Sequence, residues 1–228
     1  MNLQDYSWPS KYDGPRPHQI ETVKFLLKNK RSFNLSGMGV GKTLSALWAC
    51  DFLYMNSKIK SVLIMAPLST IDVVWAKEIR EHTPHRSYVI LHGSKPIRKQ
   101  LLSQDKDYYI INHDGTKVIE DELIAKKFDV VIIDELTVCK NFQTKRTKTI
   151  KAICDKAQAV WGLTGEPTPN APTEAFGQAK VVNPTRAPRY FSHFRDSVMM
   201  QMDTHTYIPR LGWEEKVAAV LAPNIRYT

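Results

Sequence analysis

Short apolar runs, most of them rich in valine and isoleucine, alternate along this chain with stretches of helical spacing, and nothing else in the sequence restricts its fold as much. The runs are SFNLS (32–36), SVLIMAP (61–67), SYVILHG (87–93), DYYIIN (107–112), FDVVIID (128–134) and AVWGLTG (159–165). Between them lie predicted helices over 17–29, 42–55, 70–82, 95–102, 118–127 and 144–156. Strands without polar alternation need cover on both faces, so this order predicts an α/β fold, a parallel sheet sandwiched between two helical layers. In such sheets ligands bind at the carboxyl ends of the strands, which directs attention to the loops that follow each run.

The loop after the first run reads SGMGVGKT, Ser36 to Thr43. The strict phosphate-loop pattern wants glycine five places before Gly41, where Ser36 stands. A phosphate cradle needs less than the pattern: inward-pointing backbone N–H groups, a cation and a hydroxyl for magnesium. Gly37, Gly39 and Gly41 let the backbone through Met38 and Val40 approach phosphate oxygens closely. Lys42 offers charge to the β and γ phosphates, Thr43 a hydroxyl for Mg2+, and Leu44 begins the apolar face of the next helix. A glycine-rich turn capping an ordinary helix is the alternative, and the strand before and helix after favour the phosphate loop.

At the end of the fifth run stand Asp134 and Glu135. Alone, such a pair is a strand reaching water. Opposite a magnesium nucleotide on Lys42, Asp134 can hold the metal and Glu135 can polarise the attacking water, which makes Lys42, Asp134 and Glu135 the candidate catalytic set.

With 228 residues and 43% hydrophobic content the chain can bury a substantial core. Cys50, Cys139 and Cys154 are too scattered for a disulfide framework or a zinc site, and the pairing of His82 with His85 and the stretch NHDG lack further ligands at metal spacing. Trp48, Trp75 and Trp161 read as core aromatics. No run approaches the roughly 20 apolar residues of a membrane span, and no basic-then-apolar leader opens the chain. The expected setting is therefore a reducing cytoplasm, that of the host if the gene is a phage's, with the nucleus left open. A net charge of +9, from 32 Lys+Arg against 23 Asp+Glu, suits a polyanionic partner or simply solvated lysines. The basic stretch with Lys140, Lys145, Arg146, Lys148, Lys151 and Lys156 leaves the same two readings open.

In sequence, the motifs resemble those of superfamily 2 helicases and translocases, in particular the Swi/Snf-like branch, whose phosphate loop commonly starts with alanine or serine as here at Ser36. RPHQIETVKFLL resembles the adenine-reading motif, LIMAPLSTIDVVWAKEI the motif after the second core strand, LHGSKPIRKQLL a segment after the third, and YYIINHD the next motif. IIDELTVCKN resembles the acidic box and LTGEPTPN the coupling motif. The resemblance implies a RecA-like P-loop lobe with ATP and Mg2+ as cofactors. It assigns Gln19, helped by Arg16, to adenine, and Pro67, Leu68, Ser69, Thr70, Asn112 and His113 to nucleic-acid phosphates, with double-stranded DNA the implied partner. Thr137, Thr164, Gly165, Glu166 and Asn170 fall to coupling. Ser69 or Thr70 can equally serve as an N-cap of the helix that follows.

Three departures stand out. Thr137 replaces the histidine of the family's acidic box, and Glu166 replaces a threonine of the coupling motif. The two are expected to lie close together and to hydrogen-bond; Glu166 is also a candidate for slowing turnover. The third concerns extent: residues 1–173 are expected to form the ATP-binding lobe, and 174–228 a helical extension toward a second RecA-like lobe that no segment here resembles. Hydrolysis by this lobe alone is expected to be weak or nil. The implied function is the first lobe of a duplex-DNA translocase. A strand-separating superfamily 2 helicase on RNA or DNA, or a nucleic-acid-binding module without hydrolysis, are the alternatives.

Overall fold

A computed structural model describes residues 2–10, 14–204 and 206–228. Its centre is a seven-stranded parallel sheet built from β1 (Arg31–Asn34), β2 (Val62–Ala66), β3 (Tyr88–Ile90), β4 (Tyr108–Asn112), β5 (Val130–Asp134), β6 (Ala159–Leu163) and β9 (Asn224–Ile225). The order across the sheet is β3-β4-β2-β5-β6-β1-β9. A separate antiparallel hairpin joins β7 (Met199–Gln201) to β8 (Tyr207–Pro209).

Alternation within each strand divides the core in two, because successive side chains leave opposite faces of a pleated sheet. Val62, Ile64, Tyr108, Ile110, Val130, Ile132 and Trp161 pack on one side beneath α1 (Pro17–Lys28), α2 (Lys42–Met55) and α3 (Lys77–His82). Leu63, Met65, Tyr109, Ile111, Val131, Ile133 and Val160 pack on the other beneath α5 (Glu120–Lys126), α6 (Lys145–Cys154) and α7 (Glu174–Val182). The RecA-like three-layer sandwich predicted from the sequence is thus present. α4 (Lys95–Leu102) lies between β3 and β4 in the chain. Among the described residues, no helix is long and apolar enough to cross a membrane.

Several elements depart from the sequence expectation. The helix predicted from residue 70 opens with a π-helical turn, Ile71–Ala76, before α3. The predicted helix over 118–127 begins as a 3-10 turn, His113–Ile119, and is α-helical only from Glu120. Residues 174–228 hold α7, α8 (Phe191–Val198), the hairpin, α9 (Trp213–Val220) and β9, so this stretch is not helical throughout. Gly177 of α7 sits so close to the backbone of Cys139 and Lys140 that any Cβ would collide with their carbonyls, which seats α7 directly under the loop that follows the acidic pair.

Because all seven strands run the same way, the segments after β1, β2, β4, β5 and β6 emerge at one edge. These are the phosphate loop, Pro67–Thr70, His113, Glu135 and Thr164.

Candidate nucleotide site and nucleic-acid face

Gly39 and Gly41 adopt φ of 77° and 79°, a left-handed conformation that a side chain would strain, and α2 starts immediately after them. Its first N–H groups therefore face the hollow inside the loop, as an anion-binding helix start requires. Lys42 Nζ donates to the carbonyls of Ser36 (2.8 Å) and Gly37 (2.7 Å), folding the ammonium over the loop. A cavity of about 410 Å3 opens above, lined by Gly39, Gly41, Lys42, Thr43, Glu78 and His82. Burial lowers the Lys42 ammonium from its ordinary value, against the opposing pull of Asp134 and Glu135, so the three groups share one electrostatic neighbourhood. Met38 at the loop tip is 93% exposed, and Leu44 is half-buried on α2.

The adenine-reading segment reaches the same loop. Gln19 is buried, its side-chain oxygen accepts from the Arg16 N–H (2.8 Å), and its amide nitrogen lies where a Cβ on residue 41 would stand. His18 donates through Nε2 to the carbonyl of Val40 (3.0 Å). Arg16 itself is exposed.

Across the cleft, Asp134 accepts from the indole N–H of Trp75 through Oδ2 (2.9 Å) and from the Glu135 N–H through Oδ1 (3.1 Å). Burial raises its carboxyl despite both bonds. A cradle whose Gly41 leaves no room for a Cβ, a lysine over it, the half-buried Thr43 at its base and a desolvated carboxylate opposite fit a nucleoside triphosphate with Mg2+. Glu135 takes φ 53°, uncommon for a residue with a Cβ, and its Oε1 accepts from Thr137 (2.6 Å) and Thr164 (3.3 Å).

The loops assigned to nucleic acid lie beside this site. Leu68 is 62% exposed and Ser69 is exposed, whereas the Thr70 hydroxyl donates to the Pro67 carbonyl (3.0 Å), so it makes a turn and does not N-cap the next helix with its side chain. Asn112 is half-buried over Gly115. His113 is placed otherwise than expected: only 7% exposed, its Nε2 donates to the Asp134 carbonyl (2.8 Å), and burial lowers its pKa. It braces the acidic strand from within, because β4 and β5 flank β2 and bring their ends together.

Comparison with known proteins follows the same lines. A family model described as SNF2-related domain matches residues 18–216. This chain belongs to the SNF2-related family. It is 33% identical over 179 residues to protein p41 of Acyrthosiphon pisum secondary endosymbiont phage 1, covering 74% of this chain and 39% of that one. It is 30% identical over 177 residues to the SWI/SNF-related matrix-associated actin-dependent regulator of chromatin subfamily A-like protein 1 of Drosophila melanogaster, covering 77% and 22%. The SWI2/SNF2 ATPase core of Sulfolobus solfataricus in complex with dsDNA shares its fold at a TM-score of 0.80 and 21% identity, over 100% of this chain and 47% of that one. The chain thus spans less than half the length of each.

In this SNF2-related lobe the segment expected to couple hydrolysis to movement touches both halves of the site. The Thr164 N–H donates to Asn34 O (3.0 Å), a Cβ on Gly165 would lie 3.5 Å from Ser36 O, and Asn170 binds Glu174, which also pairs with Lys140 (3.1 Å). The expected bond between Thr137 and Glu166 is not formed. Thr137 donates to Glu135 instead, since the turn Leu136–Cys139 aims its hydroxyl back at the adjacent carboxylate, and Glu166 is exposed. Trp75 was missed as a site residue: its apolar surroundings made it read as core, and no local pattern says that its N–H reaches a carboxylate 59 positions away. Among the described residues no group of histidine, cysteine and acidic side chains could hold a metal on its own; His82 pairs with Glu78, and His85 with Asp51.

Proposed function

We propose that this chain is the first ATP-binding lobe of a nucleic-acid-dependent ATPase that moves along double-stranded DNA without separating its strands. The electrostatic coupling of Lys42 to Asp134 and Glu135 at the carboxyl edge of the sheet, beside the cavity over the phosphate loop, carries the reading. Lys42 binds the β and γ phosphates, Thr43 and Asp134 hold Mg2+, Glu135 receives a proton from the attacking water, and Gln19 with Arg16 holds adenine. Magnesium, when bound, neutralises charge on the phosphates. Trp75 orients Asp134 for that task through its hydrogen bond.

Pro67, Leu68, Ser69, Thr70 and Asn112 form the wall that receives phosphates of one strand, and His113 supports it from beneath. Duplex DNA is the partner favoured, because the Sulfolobus neighbour of the same fold is a complex with dsDNA. Transition-state charge needs cations from two sides, so a second lobe completes the cycle. The phage relative supports a host-cytoplasm setting. In the full-length protein Lys42→Ala should abolish DNA-stimulated ATP hydrolysis; unchanged turnover overturns the assignment. Duplex DNA should stimulate more than RNA, with no strand displacement.

A further inference from the structure

Position 137 is where this chain departs from the acidic box of the family its motifs resemble, and the structure shows what stands there. Glu135 is exposed on a left-handed residue at the mouth of the cleft, a location where a long carboxylate side chain ordinarily samples several rotamers. Here one oxygen is tied twice. Oε1 accepts from Thr137 at 2.6 Å and from Thr164 at 3.3 Å, while Oε2 has no partner among the described residues. The two hydroxyls come from separate loops, one directly after β5 and the other directly after β6.

The Thr137 side is rigid. Val138 N–H donates to the Glu135 carbonyl (3.1 Å) and Lys140 N–H to the Thr137 carbonyl (3.0 Å), closing the turn. A threonine hydroxyl in a turn commonly bonds a nearby carbonyl of its own backbone, as Thr70, Thr116 and Thr144 do in this molecule. Thr137 donates to a charged side chain instead. β-Branching restricts its χ1 and so fixes where the donating hydroxyl oxygen sits.

We propose that Thr137, assisted by Thr164, is a positioning residue that anchors Oε1 of Glu135 and leaves Oε2 to accept the proton of the attacking water. The proposal rests on the reading of Glu135 as that acceptor.

The test compares Thr137→Val, which keeps the shape and loses the hydroxyl, with Thr137→Ser, which restores it, in the full-length ATPase with duplex DNA. Thr137→Val is expected to lower kcat about tenfold with little change in KM for ATP, an effect of the size a charge-assisted bond supplies. Thr137→Ser, which returns the hydroxyl, should restore kcat. Wild-type kcat in Thr137→Val, or failure of Thr137→Ser to restore it, overturns the proposal. Loss of turnover in Glu135→Gln alongside wild-type kinetics in Thr137→Val overturns the positioning role alone. Unchanged turnover in Glu135→Gln overturns the general-base reading and the proposal together.

Discussion

The single hydrogen bond from Trp75 to Asp134 shows how much of the site depends on side chains that sequence periodicity assigns to the core. Trp75 is fully buried, and its ring packs with Ile64 and Ile110 in one apolar layer while its N–H reaches the acid. Trp75→Phe keeps most of the packing and deletes the donor. A bond to a charged group contributes about 1.5–3 kcal/mol, so magnesium-dependent turnover should fall about tenfold to a hundredfold, with near-wild-type circular dichroism. Lys42, Asp134 and Glu135 were legible from the sequence because a phosphate loop and an acidic strand end carry local patterns. Trp75 and the Thr137–Glu135 bond were not, because each depends on which strands become neighbours and on the direction of one rotamer. The expectation of a Thr137–Glu166 contact failed for the same reason: shared motif membership says nothing about which way a side chain points.

At the scale of elements, α2 links the phosphate loop to a second buried centre. Asp51, with no exposed side-chain surface, accepts from Tyr6 (2.7 Å), His85 (2.8 Å) and Arg86 (2.6 Å), and Trp48 Nε1 donates to the Pro9 carbonyl (2.7 Å). The amino-terminal strap, the far face of α2 and the loop after α3 are thereby fastened together. Arg86→Ala would strand a buried carboxylate and should destabilise the fold by about 3–5 kcal/mol in urea titrations. Burial by itself would raise the Asp51 carboxyl, but the bonds from Tyr6, Arg86 and His85 outweigh it and lower it below its ordinary value. A group lowered on folding contributes stability that is full above its unfolded value, about 3.9, and is lost as pH falls through its folded one. Unfolding free energy should therefore drop below about pH 4, and less steeply in Asp51→Asn. The six principal strands were legible because their runs are apolar and long enough to show; β9 was not, since two residues carry no period. The hairpin was missed in a stretch read as helical, where MMQ and YIP are too short to announce strands.

The whole molecule carries a net charge of +9, and its strand-end loops form a single edge. Association with duplex DNA through phosphate contacts predicts weak sequence dependence and a linear fall of log affinity with log salt, with a slope of about −0.9 for each phosphate neutralised. Fluorescence anisotropy of unrelated duplexes across a salt series measures both. A flat salt response would mean that the basic surface serves solubility alone. The general architecture was written in the alternation of runs, whereas the course of residues 174–228 was not, because their place depends on docking against elements already folded.

The edge strand β9 has a mechanical consequence. Phe33 N–H and Leu35 N–H donate to Pro223 and Ile225, Gly37 N–H donates to Tyr227 (2.7 Å), and Tyr227 N–H donates to the Ser36 hydroxyl (3.0 Å). Tension applied at Thr228 is thus borne in shear by these bonds together with the β1–β9 ladder, and the last two end on Ser36 and Gly37, the residues whose carbonyls hold the Lys42 ammonium. A tug on the carboxyl tail would be passed to the loop that holds Lys42, the lysine proposed to grip ATP.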